Sequence, residues 1–362
     1  MTKRDCWFWL CGTPDIYRED IKRIFKSYPD PESVFYADKT EMVQKKIISE
    51  KQKRNMENFA EDDLFRTVRD HQEKEGIRFI DIDDPEYPES LKMIQDPPYG
   101  IYVKGNLPDP ELPSVGMVGA RACSEYGRTM AFRFSKGLAA GGVQIISGMA
   151  AGIDSVSAEG ALAAGGKTFA VLGSGVDVIY PAANINLYYN ILMSGGGIIS
   201  EYPPGTEAVA WQFPYRNRII SGLSERLLVM EAREKSGTLI TVKYALEQGR
   251  DVYALPGRLT DKTSEGCNRM ISDGAGILIS PERLLSEILK KEIAEPEEKR
   301  AEPVLEAPLK AVYRLFGSDP LSVQTIIEKS HQRPELVAAI LAELELSGLI
   351  REVSKNNYSK VG

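Results

Sequence analysis

Residues 213–241 read FPYRNRIISGLSERLLVMEAREKSGTLIT, and this stretch shows the helix–strand–helix pattern that predicts the fold. A short apolar helix-like segment, with an aromatic and several polar groups at its start, leads to an apolar strand at 227–230. A turn of small residues at 236–238 follows the strand and opens the next helix. Because unpaired N–H groups and the helix dipole point outward at such a start, the turn predicts an anion site.

The same alternation of strand and helix extends from residue 114 to about 289. Apolar runs typical of buried strands occur at 114–120, 143–147, 168–173, 197–201, 226–230, 251–255 and 276–280. This alternation predicts an α/β domain with a doubly wound, mainly parallel sheet and helices on both faces. Ligands of such sheets bind outside the carboxyl ends of the strands, where the Gly-rich segments of this chain fall.

Changes in composition and residue pattern along the sequence predict five regions. Residues 1–75 are charged and helix-patterned, and 76–113 form a Pro- and Asp-rich lead-in that ends in a short strand. The sheet domain occupies 114–290, and the charged stretch 291–303 is a predicted linker. Residues 304–362 show three helical patterns and a hairpin, which together predict a winged helix.

The amino-acid composition of the chain argues against several classes of protein. The net charge of −7 excludes a bulk basic nucleic-acid binder, so any phosphate site must be a local patch on an acidic background. The four cysteines lack CxxC spacing, which favours reduced thiols and makes a zinc site improbable. The N-terminal residues do not form a signal peptide, and no stretch approaches the ~20 apolar residues needed to span a bilayer. We expect no membrane association and a cytoplasmic protein.

The sheet domain lacks the motifs of common enzymes. Gly173-Ser-Gly175 has Val178 where a dinucleotide fingerprint needs its third glycine, and no phosphate-binding GxxxxGK[ST] occurs. Both histidines, His71 and His331, lie outside the predicted sheet domain, so the commonest general base is missing there. We therefore expect a protein that is not an enzyme, with no catalytic residue, no metal site and no cofactor.

Several residues are candidates for binding an anionic ligand at the carboxyl ends of the strands. They are Arg121 after the first strand, Ser147 and Gly148 after the second, Phe213, Arg216, Asn217 and Arg218, and the turn Ser236, Gly237 and Thr238. An aromatic ring beside guanidinium groups suits a ligand with both a π-face and phosphates, such as single-stranded DNA. The alternative is that Phe213 belongs to the core and the arginines are solvated or paired with carboxylates.

These residues carry a resemblance to the DNA-processing protein A family (DprA, also called Smf). The matching blocks span about 115 to 278 and read VGARACSEYG, SGMAAGID, TFAVLGSGVDVIYP, ISEYPPG, FPYRNRIISGLS, KSGTLIT, ALEQGRDVYALPG and DGAGIL. The blocks FPYRNR and KSGTLIT are highly specific. The lead-in fits as well, whereas residues 1–75 match the family's SAM-like or helix-hairpin-helix-like N-terminal domain loosely.

The resemblance implies an extended Rossmann-like fold that dimerises and binds single-stranded DNA in a basic pocket. It implies a recombination mediator that protects incoming DNA and helps to load a RecA-type recombinase in natural transformation. Carried over residue by residue, the DNA-pocket residues are Arg121, Phe213, Arg216, Asn217 and Arg218, and the small residues named above support them. The chain departs from the family in having Ala151, Ala158 and Ala182 at positions that are often basic or polar.

A second function stays open at this point. Enzymes of a related Rossmann-like type, the phosphoribohydrolases that process nucleotides, use a PGGxGT turn to hold phosphate. Here Lys235-Ser236-Gly237-Thr238 stands in that place, and its single glycine fits the turn more loosely. Turnover of a nucleoside monophosphate would distinguish this enzyme from a binding protein.

Overall fold

The structure is a computed structural model, and it describes residues 1–60, 62–290, 305–317 and 319–360. The chain divides into two compact units, Met1–Glu295 and Pro296–Gly362. The predicted linker at 291–303 lies outside the described residues. The domain limits expected at residues 75, 113 and 290 remain predictions.

The first unit contains nine strands of one sheet among its described residues. They are β1 Ile77–Asp81, β2 Gly100–Gly105, β3 Ser114–Val118, β4 Gln144–Ser147, β5 Thr168–Leu172, β6 Gly197–Ser200, β7 Arg226–Val229, β8 Asp251–Ala254 and β9 Gly276–Ile277. Its α-helices are α1 Lys3–Gly12, α2 Arg18–Ile24, α3 Pro31–Tyr36, α4 Lys39–Gln44, α5 Glu50–Phe59, α6 Asp62–Lys74, α7 Glu89–Lys92, α8 Glu125–Ala140, α9 Ile153–Ala163, α10 Ile185–Met193, α11 Gln212–Gly222, α12 Thr238–Glu247, α13 Glu265–Ser272 and α14 Pro281–Leu289, and a 3₁₀ turn spans Ala182–Asn184. None of the helices in the described part of the chain is long and apolar enough to cross a bilayer.

The sheet is doubly wound. Its strands lie in the order β1-β2-β6-β5-β4-β3-β7-β8-β9, and those from β3 to β9 are all parallel. From β3 the chain proceeds outward through β4, β5 and β6, and then returns to place β7 on the other side of β3. The predicted fold class is therefore confirmed, with a topological switch point between β3 and β7.

Apolar side chains cover the parallel strands on both faces. On one face Val118, Ile146 and Val229 join a cluster that includes residues of α11, α12 and α13. On the other face Met117 and Ile145 join a second cluster with residues of α8, α9 and α14. Neighbouring residues of a strand point to opposite faces, so continuous apolar runs are what a sheet covered on both sides requires.

The lead-in is part of the sheet. Strand β1 pairs antiparallel with β2, with Ile80 opposite Ile101, and β2 pairs antiparallel with β6. The sequence pattern predicted only a short strand at the end of this region. Strand β1 was missed because the long Pro- and Asp-rich stretch that joins it to β2 does not have the pattern of a hairpin turn.

The N-terminal helices share a core with the antiparallel edge of the sheet. Phe8 of α1 packs edge-on against Phe79 of β1, with ring centroids 5.4 Å apart. Trp9 is fully buried, and its indole N–H donates to the carbonyl of Met56 at 3.0 Å. Segments that look separate in sequence are thus joined by an aromatic-rich interface within the first unit.

The second unit is a winged helix. Its elements are α15 Ala307–Leu315, β10 Leu321–Ser322, α16 Val323–Ser330, α17 Pro334–Leu346, β11 Ile350–Ser354 and β12 Asn357–Lys360. The strands pair antiparallel in the order β10-β12-β11, and the helices enclose an apolar core centred on Val312, Ile326 and Ile340. The three helices and the hairpin predicted from the sequence are confirmed.

The buried Trp9 generates a stability prediction. Trp9→Ala leaves a large cavity and removes one of the two hydrogen bonds that the Met56 carbonyl accepts, so we expect the free energy of unfolding to fall by about 3–5 kcal/mol. Denaturant titration followed by circular dichroism measures this change. Tyr36→Ala is the control, because Tyr36 is 71% exposed and its loss should cost little. A stable Trp9→Ala variant would contradict the shared core.

Candidate nucleic-acid interface

A cavity of about 460 Å³ opens at the switch point of the sheet. Strands β3 and β7 are neighbours there, and the loops that leave their carboxyl ends form its walls together with α11. This is the place where doubly wound sheets bind ligands. The polar residues that line the cavity are Arg121, Asp154, Arg216, Asn217, Arg233, Ser236, Thr238 and Thr241.

Close contact between two loops fixes the β3 wall of the cavity. The backbone N–H of Ile153 donates to the carbonyl of Ala120 at 3.2 Å, and this bond holds the start of α9 against the loop after β3. At Gly152, where φ is +81°, a Cβ would lie 2.3 Å from the Arg121 carbonyl oxygen. Only glycine combines that backbone conformation with so close an approach.

The Arg121 guanidinium packs over the Phe213 ring at the mouth of the cavity. The Arg121 guanidinium is centred 5.3 Å from the Phe213 ring, and the arginine is exposed. Tyr180 packs on the same ring at a centroid distance of 5.4 Å and an angle of 33°. A half-buried ring with a cation on it presents both a stacking surface and a positive charge.

Arg216 projects from α11 into the floor of the cavity. Its side chain is buried, and Nη1 donates to the carbonyl of Gly148 at 2.8 Å and to the carbonyl of Val171. Burial lowers the pKa of Arg216 to about 10, and the nearby Asp154 opposes this shift, so the guanidinium stays protonated at neutral pH. Its Nε is buried and finds no acceptor among the described residues.

Asp154 is the carboxylate in the cavity lining. It accepts a hydrogen bond from the Gly148 N–H at 3.1 Å. Burial raises its pKa, whereas the Arg216 charge and the N–H groups of Ala150 and Gly148 act in the opposite direction. The described lining contains three guanidinium groups (Arg121, Arg216 and Arg233) and this one carboxylate, so it is positive on a chain of net charge −7.

The start of α12 forms the opposite wall. Gly237 is the N-cap residue and no side chain caps the helix. The N–H groups of Leu239 and Ile240 donate to the carbonyls of Ser236 and Gly237, so within the described part of the chain it is the N–H groups of Gly237 and Thr238 that are left for another acceptor. The hydroxyl oxygen of Ser236 is buried without a hydrogen-bond partner among the described residues. This wall has the features of an anion site.

Arg233 is a cavity residue that the sequence analysis missed. It is exposed and lies in the loop between β7 and α12, three positions before Ser236. Its position directly after a strand, in the loop already chosen for its small residues, was the signal that could have identified it.

Ser147 and Gly148 lie at the carboxyl end of β4, as the sequence predicts, but they do not face the cavity. The Ser147 hydroxyl donates to the carbonyl of Met117 at 2.7 Å and is buried. The N–H of Gly148 donates to the Asp154 carboxylate, and the carbonyl of Gly148 accepts from the Arg216 guanidinium. Neither residue lines the cavity. The N–H of Gly148 that was expected to bind a phosphate is already paired within the protein, and the carbonyl of Gly148 holds Arg216 in place.

Arg218 also lies away from the cavity. It is 1% exposed, and its Nη2 forms an ion pair with both carboxylate oxygens of Glu201 at 2.7 and 2.8 Å. Its Nε donates to the carbonyl of Asp96 at 2.9 Å. The prediction that Arg218 contacts a phosphate is therefore corrected, because the guanidinium group that would bind the phosphate is already paired with Glu201.

Comparison with known proteins assigns the family. Residues 78–289 match the family of the DNA recombination-mediator protein A, and residues 296–354 match the DprA winged helix domain. The chain belongs to the DNA recombination-mediator protein A family. It is 42% identical over 228 residues to the protein Smf of Synechocystis sp., a match that spans 62% of this chain but only 57% of the relative. It is 38% identical over 288 residues to the protein Smf of Escherichia coli, which covers 78% of this chain and 77% of that one.

Solved structures of family members show the same fold. The DNA processing protein A of Streptococcus pneumoniae aligns with a TM-score of 0.65 and 34% identity, covering 80% of this chain and 98% of that structure. The DNA processing protein A of Helicobacter pylori, described as binding single-stranded DNA, aligns with a TM-score of 0.53 and 25% identity. It covers 59% of this chain and 96% of that structure.

The three alanines that depart from the family pattern differ in their surroundings. Ala158 is buried in the core at 3% exposure, so a larger polar group there would have to displace apolar neighbours. Ala151 and Ala182 are exposed and contribute no charge to the surface. The positive charge of the described lining therefore depends on the three arginines named above.

The ion pair of Arg218 generates the prediction of this subsection. Arg218→Met should lower the free energy of unfolding by about 3 kcal/mol, because it leaves the partly buried Glu201 carboxylate without its partner. Denaturant titrations of Arg218→Met, Glu201→Gln and the double variant measure the coupling. We expect the double variant to recover much of the loss, and an unchanged stability of Arg218→Met would disprove the structural role.

Proposed function

We propose that this protein binds single-stranded DNA in the cavity between β3, β7 and α11 and acts without catalysis. In this proposal Arg121 contacts phosphate, Phe213 stacks on a base, and the Ser236-Gly237-Thr238 turn donates backbone N–H groups to a phosphate. Arg216 and Asn217 form the polar floor. The cation-on-ring pair of Arg121 and Phe213 beside an uncapped helix start is the observation that carries this assignment.

The chemistry of the cavity favours a nucleic acid over a small neutral ligand. Its described lining has a surplus of positive charge, an anion-binding helix start and an accessible aromatic ring. All bases have a π-face and all nucleotides have a phosphate, so these groups bind single strands regardless of sequence. Membership of the recombination-mediator family and the DNA-binding relative from H. pylori support the same proposal.

The biological role that we propose follows the family. The protein would protect incoming single-stranded DNA in the cytoplasm and help to load a RecA-type recombinase during natural transformation. It would act as a homodimer formed through the Rossmann-like domain. Sedimentation with and without the recombinase, and strand-exchange assays on coated DNA, would test these partners.

An oligo(dT) titration beside a nucleotide-hydrolysis assay separates the two candidate functions. The mediator binds oligonucleotides with a marked salt dependence and releases no product. A phosphoribohydrolase would release a free base from nucleoside monophosphates. Such turnover, without oligonucleotide binding, would reject the proposed function.

Arg121→Ala should weaken oligo(dT) binding and flatten the log–log salt slope by ~0.7, because one phosphate fewer is neutralised on the single strand. Fluorescence anisotropy at several salt concentrations measures the slope. Arg133→Ala, an exposed arginine of α8 outside the described cavity lining, serves as the control. A weaker affinity with an unchanged slope would show that Arg121 acts structurally.

Phe213→Ala should cost roughly 1–3 kcal/mol of binding, because the variant cannot stack on a base. Phe213→Leu keeps most of the side-chain volume next to Gly173 but removes the ring, so it should bind weakly as well. Thermal denaturation is measured in parallel. If Phe213→Leu restores both stability and binding, Phe213 is a core residue and the stacking role is wrong.

A further inference from the structure

Three aromatic side chains form an exposed cluster beside the cavity. The Trp211 ring meets Tyr17 edge-on at a centroid distance of 5.2 Å and Tyr215 at 6.1 Å. Tyr202 lies beneath them, 6.1 Å from Trp211, and is buried. The three outer rings stay 46% (Trp211), 42% (Tyr215) and 43% (Tyr17) exposed. We call Trp211, Tyr215 and Tyr17 the aromatic cluster.

The aromatic cluster is continuous with the cavity. Trp211 is the N-cap residue of α11 and stands between Ala210 and Phe213, both of which line the cavity. Tyr17 is the N-cap residue of α2, so the cluster reaches from the sheet to the N-terminal helices. A strand of DNA that leaves the cavity past Phe213 would meet these rings next.

We propose that the aromatic cluster is a second stacking platform, on which bases outside the cavity rest. This inference rests on the proposed function and extends it to the N-terminal helical segment. Packing alone does not explain the cluster, because Tyr202 already fills the space beneath while the outer rings leave apolar area in water. Exposed rings that adjoin a basic pocket are the feature by which sequence-tolerant proteins hold successive bases.

The charges around the cluster indicate stacking without phosphate contacts. The cations of α2 next to Tyr17 are engaged within the protein, since Arg18 and Lys22 both form ion pairs with Asp96. Removal of a ring should therefore lower affinity without changing the number of counterions released. This distinguishes the cluster from Arg121, whose removal should change the salt slope.

Oligonucleotide length provides the second distinction. A short oligo(dT) of about 4 nucleotides can fill only the cavity, whereas one of about 16 nucleotides can reach the cluster. Trp211 also reports on binding directly. The other two tryptophans, Trp7 and Trp9, are 4% and 0% exposed, so quenching of the exposed indole by DNA arises at Trp211.

The experiment measures affinities of the full chain and of Trp211→Ala and Tyr17→Ala for both lengths at several salt concentrations. We expect each variant to bind the long oligonucleotide at least about fivefold more weakly, as removal of one stacking ring requires, with an unchanged salt slope. Affinity for the short oligonucleotide should stay within about twofold. Trp211→Phe should retain most of the binding, and Tyr36→Ala, an exposed tyrosine of α3, is the matched control.

Other results overturn the inference. Equal weakening for both lengths would mean that the substitution distorts the cavity, and no weakening for either length would mean that the cluster only packs α2 against α11. If the unaltered chain binds both lengths and Trp211→Ala binds them equally well, the stacking platform is rejected and the proposed binding in the cavity is unaffected. Absence of binding by the unaltered chain rejects the proposed function itself and the platform with it.

Discussion

The buried guanidinium of Arg216 ties helix α11 to the carboxyl ends of two parallel strands. It donates to the carbonyls of Gly148, directly after β4, and of Val171 in β5, while Asp154 supplies the balancing charge. Carbonyls at strand ends would otherwise remain unpaired in a buried place, which is costly. This bond fixes the height and rotation of α11, and therefore the position of Phe213 above the cavity.

Three arginines that look alike in sequence perform different tasks because their burial differs. Arg121 is exposed and stacked on Phe213, Arg216 is buried with its Nη1 bonded to two carbonyls, and Arg218 is buried in an ion pair with Glu201. A guanidinium that has given its donors to carbonyls or to a carboxylate has little left for a phosphate. The number of hydrogen bonds that the cavity can give to a phosphate therefore depends on the donors that remain, more than on the number of arginines nearby.

The N-terminal helices contribute to the protein surface next to the cavity. They share an aromatic-rich core with β1 and β2, and Tyr17 brings their surface to the edge of α11. The same packing that stabilises the first unit therefore presents the aromatic cluster beside the cavity. Substitutions of these rings can therefore change both the stability of the first unit and the proposed binding, so each variant has to be tested for both.

The doubly wound sheet and the winged helix could be predicted from the sequence alone, because hydrophobic periodicity and small-residue turns are local signals. The sequence also identified Arg121, Phe213, Arg216, Asn217 and the turn at 236–238, which the structure brings to one cavity. Tertiary structure alone decided that Arg218, Ser147 and Gly148 face the protein interior and that Arg233 joins the lining. Residues 216 and 218 lie on different sides of one helix, and which side meets the cavity depends on how α11 docks against the sheet. That docking is set by contacts between residues far apart in the chain, so no local pattern records it.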